Sequence, residues 1–149
     1  MNKKGVTLIE LIVVMVIIAI GAALAVPNIG TWLQNYRLRT ATRDIVSTMR
    51  TAQIKAVSTN LAYRVEFNAA EGSYIIQRQT TAGVDVWVPD GASQTIPSGI
   101  LFHEINLANN RATFNPNSTS TSGNVTLRNN RDTEKRIVLF AATGRIRVE

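Results

Sequence analysis

Lys3, Lys4, Gly5 and Glu10 stand out first, because their types and spacing ask for chemistry. Residues 6–26 form an apolar run with a single charge, Glu10. As a helix rising about 1.5 Å per residue, such a run can cross the roughly 30 Å hydrocarbon core of a bilayer. A carboxylate inside it costs a few kcal/mol or more, so it needs a counter-charge or a function. Lys3 and Lys4 would hold the N-terminus on the cytoplasmic side. At the other end, Gly144-Arg145-Ile146-Arg147 is a second candidate. In an extended strand, Arg145 and Arg147 lie about 7 Å apart on one face, where each guanidinium can engage a phosphate. Arg128, Arg131, Lys135 and Arg136 would widen that basic patch. No aromatic residue interleaves these charges, so binding to nucleic acid would be independent of base sequence. The competing reading is that these cations pair with Asp132, Glu134 and Glu149 on a solvated surface.

Catalysis finds little support. His103 is the only histidine and there is no cysteine, so thiol chemistry, disulfides and cysteine-bound metals are excluded. No Gly-rich phosphate loop or nucleophile elbow is present. The sequence therefore points to a protein that is not an enzyme and needs no metal or other cofactor. Sixteen basic and ten acidic residues give a net charge of +6, which permits anionic partners without requiring them.

The elements that must position these residues follow from periodicity. Pro27 lacks an N–H and predicts a kink or local break near residues 23–27. Beyond it, Leu38, Ala41, Ile45, Met49, Ala52 and Ala56 recur every three or four residues, the stripe of an amphipathic helix over residues 37–58. Arg39, Arg43, Ser47 and Arg50 lie on the opposite, basic face, which a head group, a neighbouring subunit or nucleic acid could contact. After Asn60 the period becomes alternating. Strands are predicted at 63–68, 73–79, 84–88, 96–103, 111–114, 124–129, 135–142 and 145–149. Val138, Leu139 and Phe140 are apolar on both parities, which predicts burial of that strand on both faces. Ile146 and Val148 should point inward and Arg145 and Arg147 outward. The fold class is α+β, a long helix over residues 6–58 whose exposed half packs on a mostly antiparallel sheet formed by residues 61–149.

An ordinary signal peptide, with Ala23-Leu24-Ala25 as its cleavage site, would have a shorter and uncharged apolar core. An uncleaved anchor explains the length of the run but neither Gly5 nor Glu10. Lys3-Lys4-Gly5-Val6-Thr7-Leu8-Ile9-Glu10 instead resembles the leader of type IV pilins and type II secretion pseudopilins. The resemblance implies a leader of residues 1–5, cleavage by a prepilin peptidase between Gly5 and Val6, and N-methylation of Val6. It also implies that Glu10 is the carboxylate of filament assembly. One departure is the first mature residue, usually phenylalanine and here Val6. Cleavage would remove Lys3 and Lys4 and leave a net charge of +4.

Phe114-Asn115-Pro116, Val125-Thr126-Leu127, Arg136-Ile137-Val138-Leu139 and Gly144-Arg145-Ile146-Arg147 resemble the FimT/GspH-like branch of pseudopilins and minor pilins. That branch implies a pilin-like fold and a subunit stored in the bacterial inner membrane as a single-pass protein. Residues 6–26 would be transmembrane, the N-terminus cytoplasmic and the 61–149 domain periplasmic. Implied partners are the prepilin peptidase and other pilins, at or near the tip of a type II secretion pseudopilus or a type IV pilus. Some FimT-like members bind DNA in uptake through a C-terminal Gly-Arg-x-Arg, which Gly144–Arg147 fits.

Overall fold

A computed structural model describes residues 5–149, the side chains of residues 24–29 excepted. Helix α1 spans Leu8–Thr59, and nine strands follow among the described residues. These are β1 (Tyr63–Asn68), β2 (Ser73–Gln79), β3 (Trp87–Pro89), β4 (Gln94–Thr95), β5 (Ile100–Asn106), β6 (Arg111–Phe114), β7 (Gly123–Asn129), β8 (Glu134–Phe140) and β9 (Arg145–Val148). The chain divides into two units, Met1–Leu33 and Gln34–Glu149. Lys3 and Lys4 lie outside the described residues.

The ends of α1 have local causes. Thr7 caps its start: its Oγ1 accepts from the backbone N–H of Glu10 at 3.3 Å and its carbonyl from Leu11 at 3.2 Å. At the other end Asn60 adopts a left-handed φ of 57°, the geometry that stops a helix. The helix assignment runs unbroken through Pro27, so the expected break is absent. Any kink there falls on residues 24–29, outside the described side chains.

In the second unit, the expected helical stripe is the buried one. Leu38, Ala41, Ile45, Met49, Ala52 and Ala56 are all almost completely buried, and Arg39, Arg43, Ser47 and Arg50 are exposed. The stripe meets two antiparallel sheets. One is ordered β3-β2-β1-β6, with β4 also on β2, and the other β5-β7-β8-β9. Val65 and Phe67 of β1, Phe114 of β6, Phe102 of β5, Val125 and Leu127 of β7, and Ile137 and Leu139 of β8 join the helix in one core. Burying each large apolar side chain contributes about 1.5–3 kcal/mol, so residues 34–59 of the helix are a structural wall of the domain.

Three strand expectations need correction, and one strand was not expected. Residues 84–86 are not a strand, because the ladder ends where Gln79 pairs with Trp87 and the chain turns beyond it, Thr80 donating to the Val86 carbonyl at 3.0 Å and Val84 to the Thr81 carbonyl at 3.2 Å. Strand β5 starts at Ile100 rather than 96, because Pro97 has no N–H to donate and Gly99 turns the chain with φ 85°. The two-residue β4 was not legible in the sequence. Strand β8 is buried on one face only: Ile137 and Leu139 are covered, Val138 is half-buried and Phe140 is 42% exposed. The core lies on one side of that sheet, so the other parity of β8 faces outward.

Candidate functional site

The first unit presents an apolar surface all round its helix. Val6, Leu8, Ile9, Leu11, Ile12, Val13, Val14, Met15, Val16, Ile17, Ile18 and Ile20 are each exposed, from 47% at Ile12 to 79% at Leu8. A helix that is apolar on every side belongs inside a bundle or a membrane. Among the described residues, no helix is long and apolar enough to cross a membrane. The expected span of 6–26 takes in positions 24–26, outside the described side chains. Glu10 sits in the first turn, is exposed, and makes no ion pair among the described residues. Its side chain is four positions from Val6, and its placement in that turn suits a carboxylate electrostatically. Thr7 is a contributor the sequence reading missed, although Thr-x-x-Glu is a recognisable helix-start pattern.

The basic tail is built by the turn at Gly144 and the β8–β9 hairpin. Phe140 pairs with Arg145 and Val138 with Arg147, so the two arginines share the outward face with those side chains. Both are exposed, as expected, while Ile146 is half-buried and Val148 is 43% exposed at the sheet edge. Arg136 and Arg128 share that outer face, but Glu134, opposite Arg128, lies six residues from Phe140. The two ends of the patch are therefore about 20 Å apart. Lys135 has the opposite parity, across from Leu127, and Arg131 stands in the β7–β8 turn. Three of the six cations have carboxylate neighbours: Arg128–Asp132 at 3.5 Å, Arg136–Glu104 at 4.0 Å and Arg147–Glu149 at 3.4 Å. Arg145, Arg131 and Lys135 have none among the described residues. His103 lies 3.3 Å from Glu134 at the irregularity in β5. Glu134 thus pairs with His103, while Arg128, its cross-strand neighbour, pairs with Asp132.

Two further polar arrangements were not legible in the sequence. Asn129 is buried and its Oδ1 accepts from the backbone of Arg131 at 2.9 Å and Thr133 at 3.0 Å. Its Nδ2 donates to Asn35 Oδ1 at 3.1 Å, fastening the β7–β8 turn to α1. Across the outer face of the first sheet, Arg64 Nε donates to Gln77 Oε1 at 2.6 Å and Gln77 Nε2 to Glu66 Oε2 at 2.7 Å. Arg111 Nη2 closes on Glu66 at 2.7 Å, and the Arg64 guanidinium lies 4.2 Å from the Trp87 ring centre. Partial burial, and then the nearby Arg111, hold the Arg64 guanidinium below its usual value. No group of side chains suited to hold a metal is present among the described residues.

A long N-terminal helix whose second half forms one core with antiparallel sheets defines the pilin-like class. The profile of the type II transport protein GspH matches residues 41–144, and that of the prokaryotic N-terminal methylation motif matches residues 1–26. The chain belongs to the GspH family of type II transport proteins. Its fold is similar to that of the minor pseudopilin EpsH from the type 2 secretion system of Vibrio cholerae. That match has a TM-score of 0.62 at 10% identity and covers 76% of this chain and 96% of that one. The type IV minor pilin FimU of Pseudomonas aeruginosa is similar too, with a TM-score of 0.58 at 15% identity, covering 79% of this chain and 92% of that one. No curated protein sequence matches the chain. Family membership supports a structural role in a pilus or pseudopilus, in contact with other pilins and consistent with membrane anchoring.

Proposed function

We propose that this protein is a non-catalytic minor subunit, stored in the inner membrane, cut between Gly5 and Val6, and built into a type II secretion pseudopilus or type IV pilus. The observation that carries the reading is the exposed apolar surface of residues 6–20 with one carboxylate in its first turn. In a membrane this surface is covered by lipid and in a filament by sister helices. Glu10 would be costly in either place unless paired, and the new N-terminal ammonium of an adjacent subunit is a natural counter-charge. Cleavage after Gly5 creates that ammonium, and N-methylation of Val6 keeps its charge. Residues 34–149 project as the periplasmic domain. N-terminal mass spectrometry of protein from cells with and without prepilin peptidase tests the processing step. Val6 should be the first residue only where the peptidase is present; a peptidase-independent mass or a start at Val26 overturns the reading.

A second reading, sequence-independent DNA capture by the tail, is favoured by the exposure of Arg145 and Arg147 on one face. The carboxylates beside Arg128, Arg136 and Arg147 reduce the charge such a patch offers. The structural role is therefore the conclusion.

A further inference from the structure

Every other outer strand of the two sheets is blunted in a recognisable way. Strand β3 is three residues long and carries Pro89, and β4 has only two residues. Strand β6 is covered by the chain at 119–121: Thr121 donates to the Thr113 carbonyl at 3.0 Å and Phe114 bridges to Ser120. Strand β5 has a register break between Phe102 and Glu104. These are the devices by which sheets avoid pairing with other chains.

Strand β9 is four residues long and carries the exposed Arg145 and Arg147, but no proline, bulge or covering segment closes its edge among the described residues. It is the end strand of its sheet, pairs with β8 in continuous register and contains no proline. The reciprocal backbone bonds between Arg136 and Glu149, at 3.1 and 2.8 Å, set the phase of the ladder. In an antiparallel pair, hydrogen-bonded and non-bonded positions alternate, so the main-chain groups of Arg147 and Arg145 face β8. Those of Ile146 and Val148 face the open edge, and no bond to them is made outside the ladder among the described residues. Beside this edge, Arg145 has no carboxylate neighbour among the described residues, and Val148 is 43% exposed on the other face.

The geometry points to β9 as a docking edge for an extended segment of a neighbouring protein subunit, one with carboxylates at alternate positions and apolar residues between them. Such a segment adds a tenth strand. Its backbone pairs with Ile146 and Val148, its carboxylates lie across from Arg145 and Arg147, and its apolar residues extend the face of Ile146 and Val148. A second copy of β9 fits less well, because centring the pair on Arg147 sets two arginines opposite each other. A polyanion such as DNA would use the two charges and leave the Ile146 and Val148 backbone groups without partners. This contact rests on the reading of the chain as a subunit of an assembly but uses a surface apart from residues 6–20, so peptide binding at β9 and the processing at Gly5 fail or succeed separately.

The test uses the full chain in detergent micelles, with amide hydrogen exchange followed residue by residue. The probes are three synthetic peptides: acetyl-(Glu-Val)3-amide, acetyl-(Lys-Val)3-amide and acetyl-(Glu-Pro)3-amide. The Glu-Val peptide should slow exchange at Ile146 and Val148 at least tenfold, and neither of the others should. Val148→Pro, which removes an edge N–H without touching the β8 ladder, should weaken the Glu-Val peptide at least tenfold. Arg145→Glu with Arg147→Glu should transfer the preference to the Lys-Val peptide. Equal binding of the Glu-Pro peptide would show that charge alone acts, and absence of protection by the Glu-Val peptide would leave the arginines as guards of the edge. Either result overturns the proposal.

Discussion

Gly144, the first residue of the Gly-Arg-x-Arg tail, is required by the backbone and by its neighbours. Its φ is 58°, and a Cβ placed on it would lie 2.7 Å from the Ser118 carbonyl oxygen and 2.5 Å from Gln53 Nε2. The glutamine side chain can swing away; the Ser118 carbonyl belongs to the backbone and yields only if the loop moves. Gly144→Ala therefore meets two costs. The left-handed conformation costs about 1–2 kcal/mol for a residue with a Cβ. The contact with Ser118 adds about 1–3 kcal/mol of overpacking. The sum, about 2–5 kcal/mol, should lower the melting temperature by about 8–20 °C in a domain of this size. Gly83 is the internal control, with φ 79° and nothing within 4 Å of an added Cβ. Gly83→Ala should carry the conformational cost alone, about 4–8 °C. Gly144→Asn relieves the conformational strain but not the contact, and should fall between wild type and Gly144→Ala. Circular dichroism melts of the four proteins in the same detergent measure this. If Gly144→Ala and Gly83→Ala melt within about 2 °C of each other, the Ser118 contact has no energetic weight and the reasoning is refuted.

Glu10→Ala should insert into membranes at least as well as wild type, since it removes a charge costing a few kcal/mol there. It should nevertheless be recovered in sheared filaments at a small fraction of the wild-type level; equal recovery rules out charge pairing for this subunit. Tyr74 gives a pH prediction: burial chiefly, and then Asp44, raise its pKa above 10.0, against an opposing hydrogen bond with Thr48. The folded chain then holds this proton more tightly than the unfolded chain. The contribution to stability is fully present below about pH 10 and is lost as pH rises through the raised folded value. Urea midpoints measured from about pH 9 to about pH 11 should fall less steeply in Tyr74→Phe; parallel curves dismiss the role of burial. If the tail binds DNA, Arg145→Ala with Arg147→Ala should weaken unrelated sequences alike and reduce the slope of log K against log salt by about one to two. A slope that does not change assigns binding to Arg39 and Arg43 or to Arg128–Arg136.

What the sequence determined alone was local and periodic. The apolar run with Glu10 is a covalent fact, and no packing could hide its length in a domain formed by the rest of the chain. The buried face of α1 was legible from Leu38 to Ala56 because helical geometry places every third or fourth residue on one side whatever it meets. The β1–β2 hairpin was legible because alternation and a short turn act within a few residues. The tertiary structure decided what depends on distant chain. Residues 84–86 carry strand-forming valines, yet β2 ends before reaching them, and their backbone bonds to Thr80 and Thr81 make a turn and not a ladder. Phe140 is apolar but exposed, because burial depends on which side of the sheet the helix occupies. The six cations of the tail are near one another in sequence, but strand parity and the carboxylates of Glu104 in β5, Asp132 in the β7–β8 turn and Glu149 after β9 separate them into paired and unpaired groups. Which edge stays open is likewise a property of the assembled sheets. Four residues of alternating arginine and aliphatic character read the same whether a neighbour covers them or not, and only the strand order leaves β9 uncovered.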